Sequence, residues 1–226
     1  TNPKVLNFLN KYSMAKPKAC KNCKEKFTPE YNPLQFLCSP KCAIEYNKKA
    51  AERKEKDEWK VKKKEMVEKL KTMGDYEAEL QTEVNAICRL IDEGCRCISC
   101  GNSGKPQAGH YHSRNKNTTL RFNLNNLHLQ CYRCNVELSA NITGYNLGLI
   151  NWYGKAYQDY VEYELPKEYP LLKWSKNDLI LWTAQARAFK KDIINLDRPF
   201  NEEDRIFWRN FYNNKIGIYK NNSISM

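Results

Sequence analysis

The chain has 226 residues, 41% of them hydrophobic, with 38 Lys and Arg against 26 Asp and Glu and a net charge of +12. That is enough apolar material for one good-sized domain or two small ones, so a chain disordered throughout is excluded, and the charge favours a polyanionic partner, most often nucleic acid. No run is apolar over the ~18 residues a membrane span needs and no leader-like segment opens the chain, so no membrane partner is expected and the expected compartment is the cytoplasm.

Residues 1–19 lack strong periodicity and are expected to fray. Eight of the ten cysteines then fall in four short pairs, Cys20/Cys23, Cys38/Cys42, Cys97/Cys100 and Cys131/Cys134. Such pairing reads as metal binding in a reducing cytosol rather than as disulfides. Residues 1–42 form an N-terminal zinc-ribbon module: Cys20, Cys23, Cys38 and Cys42 hold one Zn²⁺, and Phe27, Tyr31 and Phe36 make a small hairpin over it. Ser39 and Pro40 read as N-cap and first residue of a helix, which puts Cys42 in its first turn.

Residues 43–94 contain two helices. The first, over 43–73, is rich in Ala, Glu and Lys with no Gly or Pro. Its Lys62-Lys63-Lys64 run suits either phosphates or a solvated face, and a partner helix in a dimer is a rival use of the stretch. Met73-Gly74-Asp75 is read as a break, with Gly as a stop and Asp75 as a cap. The second helix, over 76–92, places Leu80, Val84, Ile87 and Ile91 at buried-face spacing and ends at Gly94. Cys88 reads as a core thiol, and Cys95 as a plain neighbour of the second cysteine set.

Residues 95–144 hold Cys97-Ile-Ser-Cys100, Gly109-His110-Tyr111-His112 and Asn126-Leu-His128-Leu-Gln-Cys131-Tyr-Arg-Cys134-Asn135. Two C-x2-C knuckles at this separation predict a closed tetrahedral Zn²⁺ site made by Cys97, Cys100, Cys131 and Cys134. Residues 107–112 and Leu120-Arg-Phe122 are read as strands, and Asn125 or Asn126 as the start of a helix carrying Cys131, Cys134 and Asn135. On that helix His128, Cys131 and Asn135 share a face.

Residues 145–226 read as a helical C-terminal region. Tyr145, Leu149, Trp152, Tyr153, Tyr157 and Tyr160 form an aromatic stripe expected in the core. Ser175 caps a helix to about Asn195 with Leu179, Trp182, Ala186 and Phe189 inward. A last helix runs from Glu202 to about Tyr212, and the tail after Lys220 is expected to be disordered.

The phrases Ala108-Gly-His-Tyr111, Leu120-Arg-Phe-Asn123 and Gln130-Cys-x2-Cys-Asn135 resemble the phage lambda NinG, or Rap, recombination protein family. The order His110, Asn126, Asn135 looks like the zinc-stapled branch of the HNH (ββα-metal) nucleases. The likeness covers Cys97 to about Asn141, with a weaker one around Cys20 to Cys42. It implies an α+β, mostly helical protein with a zinc-stapled ββα-metal core, and a Mg²⁺- or Mn²⁺-dependent DNA endonuclease that cuts Holliday junctions or other branched recombination intermediates. His110 would activate water and Asn135 would hold the catalytic ion, while the resemblance implies that Asn126 tethers the His110 loop through a backbone hydrogen bond.

Two positions depart from that pattern. Many zinc-stapled members have Asp directly before the base His, where Gly109 stands here; the third motif residue is often His and is Asn135 here. Neutral oxygens alone suit Mg²⁺ or Mn²⁺ weakly. His128, His112, Glu137 and Asn141 are candidates to complete the shell, and His112 is the rival base. Arg114, Lys116, Arg121 and Arg133 are expected on DNA phosphates, with Lys190 and Lys191 extending the footprint and Tyr111 or Tyr132 stacking on bases. Branched DNA is the expected partner and a homodimer is plausible. The alternative is a non-catalytic zinc-dependent DNA-binding recombination protein.

Overall fold

The computed structural model describes residues 16–30, 32 and 34–219. Residues 1–15, the hairpin position Tyr31 and the tail from Lys220 lie outside them, so the fraying expected over most of 1–19 and the disorder expected of the tail fall outside the description. The chain divides into two compact units, Thr1–Leu70 and Lys71–Met226. The division falls between the two helices of the 43–94 segment.

In the first unit, β1 (Lys18–Ala19) pairs antiparallel with β2 (Lys26–Phe27) around the Cys20–Cys23 knuckle. Helix α1 (Pro40–Leu70) follows, and the Ser39 hydroxyl accepts from the Cys42 N–H at 3.2 Å. The knuckle is docked on the helix by side chains. Asn22 Nδ2 donates to Glu45 at 2.8 Å, Lys49 donates to Asn22 Oδ1 at 2.9 Å, and Phe36 meets Tyr46 edge-on at 5.7 Å. Beyond that contact the helix is solvated: Cys42 is its one buried residue. Good helix formers throughout, rather than packing, sustain it.

In the second unit, α2 (Met73–Ile91) opens one turn earlier than Gly74 suggests. The Thr72 hydroxyl accepts from the Asp75 N–H, and the Asp75 carboxylate accepts from the Thr72 N–H at 2.7 Å. This reciprocal capping box makes Thr72 the cap and keeps Met73 and Gly74 inside the helix. The expected buried face is present, with Leu80, Val84, Ile87 and Ile91 fully buried.

Strands β3 (Pro106–His110) and β4 (Leu127–Cys131) pair antiparallel, from Pro106 opposite Cys131 to His110 opposite Leu127. This corrects two readings. Leu120-Arg-Phe122 lies in a tight turn, Thr119–Phe122, and residues 127–131 form a strand rather than a helix. The reason is burial on both faces. Leu127 enters the main core while His128 is covered by Tyr145 and Gln130 is buried against Ser99 and Ala140, so β4 shows no polar face to betray its period. After β4, one wide turn (Arg133–Glu137) carries Cys134 and Asn135, and Ser139, Ala140 and Asn141 take positive φ.

Helix α3 (Ile142–Tyr153) then packs directly on the Cys97–Cys100 knuckle. A Cβ at Gly148 would lie 1.8 Å from the Ile98 carbonyl oxygen, and one at Gly144 would lie 2.3 Å from that of Ser99. Only glycine at this i, i+4 pair permits the approach. The aromatic stripe is broken at Gly154, where φ is +86°. Short helices α4 (Lys155–Asp159) and α5 (Leu165–Glu168) follow, joined by a wide turn. Tyr145, Leu149 and Tyr157 are buried with Ile98, Tyr111 and Val161.

Helices α6 (Lys176–Ile194) and α7 (Glu202–Ile216) each begin with a capping box, Ser175/Asp178 and Asn201/Asp204. The last helix runs a turn beyond Tyr212 because Tyr212 and Ile216 are both core residues, and it ends at Gly217 in the left-handed region. The main core joins the α2 face to Leu120, Phe122, Leu124 and Leu127, and to Leu179, Phe189 and Ile193 of α6. Arg209 of α7 penetrates it. Its guanidinium donates to both Asp92 oxygens at 2.6 and 2.7 Å, and to the Leu124 carbonyl at 3.2 Å. Asp92 also accepts from the Leu129 N–H of β4 at 2.8 Å. The architecture is α+β and mostly helical, with two small two-stranded sheets.

Candidate functional site

Both cysteine quartets assemble. The sulfurs of Cys20, Cys23, Cys38 and Cys42, and those of Cys97, Cys100, Cys131 and Cys134, lie within 4.8 Å of one another in each set. Observed separations are 3.4 Å for Cys38–Cys42, 3.6 Å for Cys23–Cys38 and 3.8 Å for Cys100–Cys131. Ligands about 2.3 Å from a tetrahedral centre sit about 3.8 Å apart, so the geometry and the all-sulfur donor set fit Zn²⁺ in both. Cys95 stays outside the second quartet, and Cys88 is a fully buried thiol whose pKa burial raises.

His110 ends β3. Its Nε2 lies 2.9 Å from the Arg121 carbonyl oxygen. A carbonyl can only accept, so Nε2 carries the proton and Nδ1 keeps its lone pair. Burial, with a lesser contribution from Arg114 and Arg121, outweighs that bond and lowers the pKa to about 4. The ring is therefore neutral at pH 7. His112 Nε2 is held likewise by the Val161 carbonyl at 2.8 Å.

Asn126 is fully buried. Its Oδ1 accepts from the His112 N–H at 2.7 Å, and its Nδ2 donates to the carbonyls of His112 at 3.0 Å and Leu120 at 3.1 Å. It thus ties the segment after His110 to the turn before β4. Asn135 is half-buried on the wide turn, directly after Cys134.

His128 does not reach the surface. It is 1% exposed, between Tyr145 Oη at 3.0 Å from Nδ1 and Tyr157 Oη at 3.3 Å from Nε2. Burial holds it neutral. The strand points it into the aromatic cluster, away from the surface on which the expected metal or phosphate contact would lie. Tyr111 is buried against Tyr145 at 5.4 Å, whereas Tyr132 is exposed.

Of the expected cationic contacts, Arg114, Lys116 and Arg133 are exposed. Arg121 is half-buried, paired with Glu77 and laid over the Phe122 ring. Lys190 is paired with Glu83. Phosphate contact by either would require breaking that pair.

Gly109 has a physical reason to be glycine. A Cβ there would lie 1.8 Å from Gln130 Oε1 and 2.5 Å from its Cδ. Gln130 is fully buried, with Nε2 donating to Ser99 Oγ and to the Ala140 carbonyl, each at 2.6 Å. Gln130 thus fills the space an acidic side chain at 109 would need. Among the described residues, the two cysteine quartets are the only converging sets of three or more His, Cys, Asp or Glu ligands. His110 belongs to neither set, so among the described residues it is not part of a ready Mg²⁺ or Mn²⁺ site of three or more such ligands.

Gln130, Ser99 and Tyr145, whose hydroxyl donates to the Gly109 carbonyl at 3.1 Å, escaped the sequence reading as site residues. The available signal was the glycine before His110, which asks what occupies the missing side chain's place.

Fold and site together describe a mostly helical α+β protein with two four-cysteine clusters that could hold zinc. A family sequence profile described as bacteriophage lambda NinG protein matches residues 13–197. Protein ninG of Escherichia phage lambda is 37% identical over 206 residues, covering 80% of this chain and 97% of the relative. Protein ninG of Escherichia phage 933W is 36% identical over 204 residues, with the same coverage. Protein ninG of Salmonella phage P22 is 32% identical over 196 residues, covering 77% and 92%. The chain belongs to the bacteriophage lambda NinG family. No solved structure matches it significantly.

Proposed function

We propose that the chain is a zinc-stapled DNA endonuclease acting on branched recombination intermediates, with Holliday junctions as the first substrate class. The observation that supports this reading is the state of His110: a neutral ring, oriented by a carbonyl on Nε2, with a free lone pair on Nδ1. In this reading a water oxygen attacks the scissile phosphorus, its proton passes to His110 Nδ1, and the bond from phosphorus to the leaving sugar oxygen breaks, that oxygen keeping the electron pair and taking a proton from solvent. Asn126 holds the loop in register. Arg114, Lys116 and Arg133 neutralise phosphates without reading sequence. A divalent ion would supply charge stabilisation at the phosphate. Among the described residues His110 stands in no set of three or more His, Cys, Asp or Glu ligands, so no step is assigned to the ion.

The test incubates purified protein with labelled four-way junction and matched linear duplex, with Mg²⁺, Mn²⁺ or EDTA, alongside His110→Ala. The expected result is junction cleavage that disappears in His110→Ala while binding remains. Binding without cleavage in every condition overturns the enzyme reading. It would favour the second reading, a non-catalytic zinc-dependent DNA-binding protein, which the Gln130-filled position at Gly109 supports.

A further inference from the structure

We propose that helix α1 carries a phosphate-binding stripe, which makes the N-terminal unit the nucleic-acid anchor of the protein. The inference rests on the reading of DNA as the partner and assigns where that partner is held. Residues 1–70 contain 18 of the 38 Lys and Arg but only 9 of the 26 Asp and Glu, a net +9 of the chain's +12. The unit that bears His110 is close to balanced.

Along one face of α1 five cations are aligned, with Glu45, Glu52 and Asp57 at or near its edges and Lys54, Lys62 and Lys69 on the other side. Lys49, Arg53, Lys56, Lys60 and Lys63 follow one another in steps of four, three, four and three residues. At 3.6 residues per turn they fall in a sector of about 80° and run for about 21 Å. Glu55, Glu58 and Glu65 lie on the opposite side. Cys42 precedes Lys49 by seven residues, so the zinc quartet and the stripe share one side of the helix.

These cations are exposed. Among the described residues Arg53, Lys56 and Lys63 have no acidic partner. Lys60 meets Asp57 at 3.2 Å in a pair more than 70% exposed on both sides, which is worth little against a phosphate. Lys49 contacts the neutral Asn22. Each strand of a duplex carries one phosphate per 3.4 Å of axis, so the stripe spans roughly six on a strand. A second copy of α1 fits less well. Its exposed apolar residues at helical spacing are Trp59, Met66 and Leu70, short of the three or four heptads a coiled coil needs.

The test uses the full chain with Arg53→Gln, Lys56→Gln, Lys60→Gln and Lys63→Gln together, since Gln keeps helix propensity. Binding to labelled linear duplex and four-way junction is measured across a salt series, with helix content and zinc checked in parallel. At roughly 0.9 per phosphate contact, the slope of log affinity against log salt should become shallower by about 3 to 4, with at least about a tenfold loss of affinity. His110→Ala should bind with the parental slope. An unchanged slope and affinity in a folded variant overturn the stripe, as does a wild type that binds no DNA. Loss of a dimer with an unchanged slope overturns it in favour of a self-association face. A changed slope in a protein that cuts no junction supports the stripe and removes the nuclease reading alone.

Discussion

The carboxamide of Asn126 grips the backbone of His112 from both sides, accepting from its N–H at 2.7 Å and donating to its carbonyl at 3.0 Å. Asn126→Ala would leave the His112 N–H and carbonyl without these partners and the Leu120 carbonyl with the Asn123 N–H alone, at about 1–3 kcal/mol for each orphaned group. Urea unfolding should show a midpoint shift of that order. Asn126→Asp should do no better, because a carboxylate cannot donate to the two carbonyls. An unchanged midpoint in both variants would mean that the loop is held by other contacts.

At Gly109, any side chain collides with Gln130. Gly109→Ala should destabilise the protein, by about 1–3 kcal/mol if it behaves as an overpacked core. The double change Gly109→Ala/Gln130→Ala should cost less than the sum of the singles, since Gln130 no longer fills the space. A thermal-denaturation cycle reads the coupling. Strict additivity would show that the two positions do not compete for that volume.

His110 also predicts a pH dependence. Its folded pKa, about 4, lies below the ordinary value of 6.5. Between these values the unfolded chain binds a proton that the folded chain does not, so stability rises with pH. The contribution is present above about 6.5 and is lost as pH falls toward 4. His110→Gln should flatten that part of the stability profile relative to wild type. A variant with the same acid slope as wild type would show that the folded pKa is not depressed.

Metal content gives a direct check of the quartets. Elemental analysis should find two zinc ions per chain, matching the two sets of four cysteines. Cys134→Ser should hold only one firmly. Stripping the second quartet should unfold the β3–β4 hairpin and α3, because structural zinc binding is linked to folding. An unchanged fold after complete zinc removal would demote the metals to bystanders.

The Arg209–Asp92 pair is almost completely buried on both sides. Removing one partner, as in Asp92→Ala, should cost about 3–5 kcal/mol by stranding a buried charge. Replacing both, with Arg209→Met and Asp92→Leu, should cost less than the single change. Chemical denaturation of the three variants decides between this and a pair that is merely tolerated.

The parts legible in the sequence were those with local rules. The knuckle spacing marked both quartets, the spacing of Leu80, Val84, Ile87 and Ile91 marked the α2 face, and Ser175 marked the start of α6. What escaped depends on residues far along the chain. His128 looks like a ligand until Tyr145 and Tyr157 close over it. β4 resembles a helix because neighbours cover both its faces, which removes the alternation that identifies a strand. The meaning of Gly109 lies in Gln130, across the sheet and two pairs along.

The reach of Arg209 into the hairpin has a consequence for how the protein matures. Synthesis runs from Cys97 toward Arg209, so β3, β4 and the second cysteine quartet leave the ribosome well before α7. Until α7 arrives, the Leu124 carbonyl and the Asp92 carboxylate that orders β4 lack their cationic partner. The buried polar network of the hairpin closes only after Arg209 is made. The anchoring of β4 through Asp92 is therefore completed late in translation.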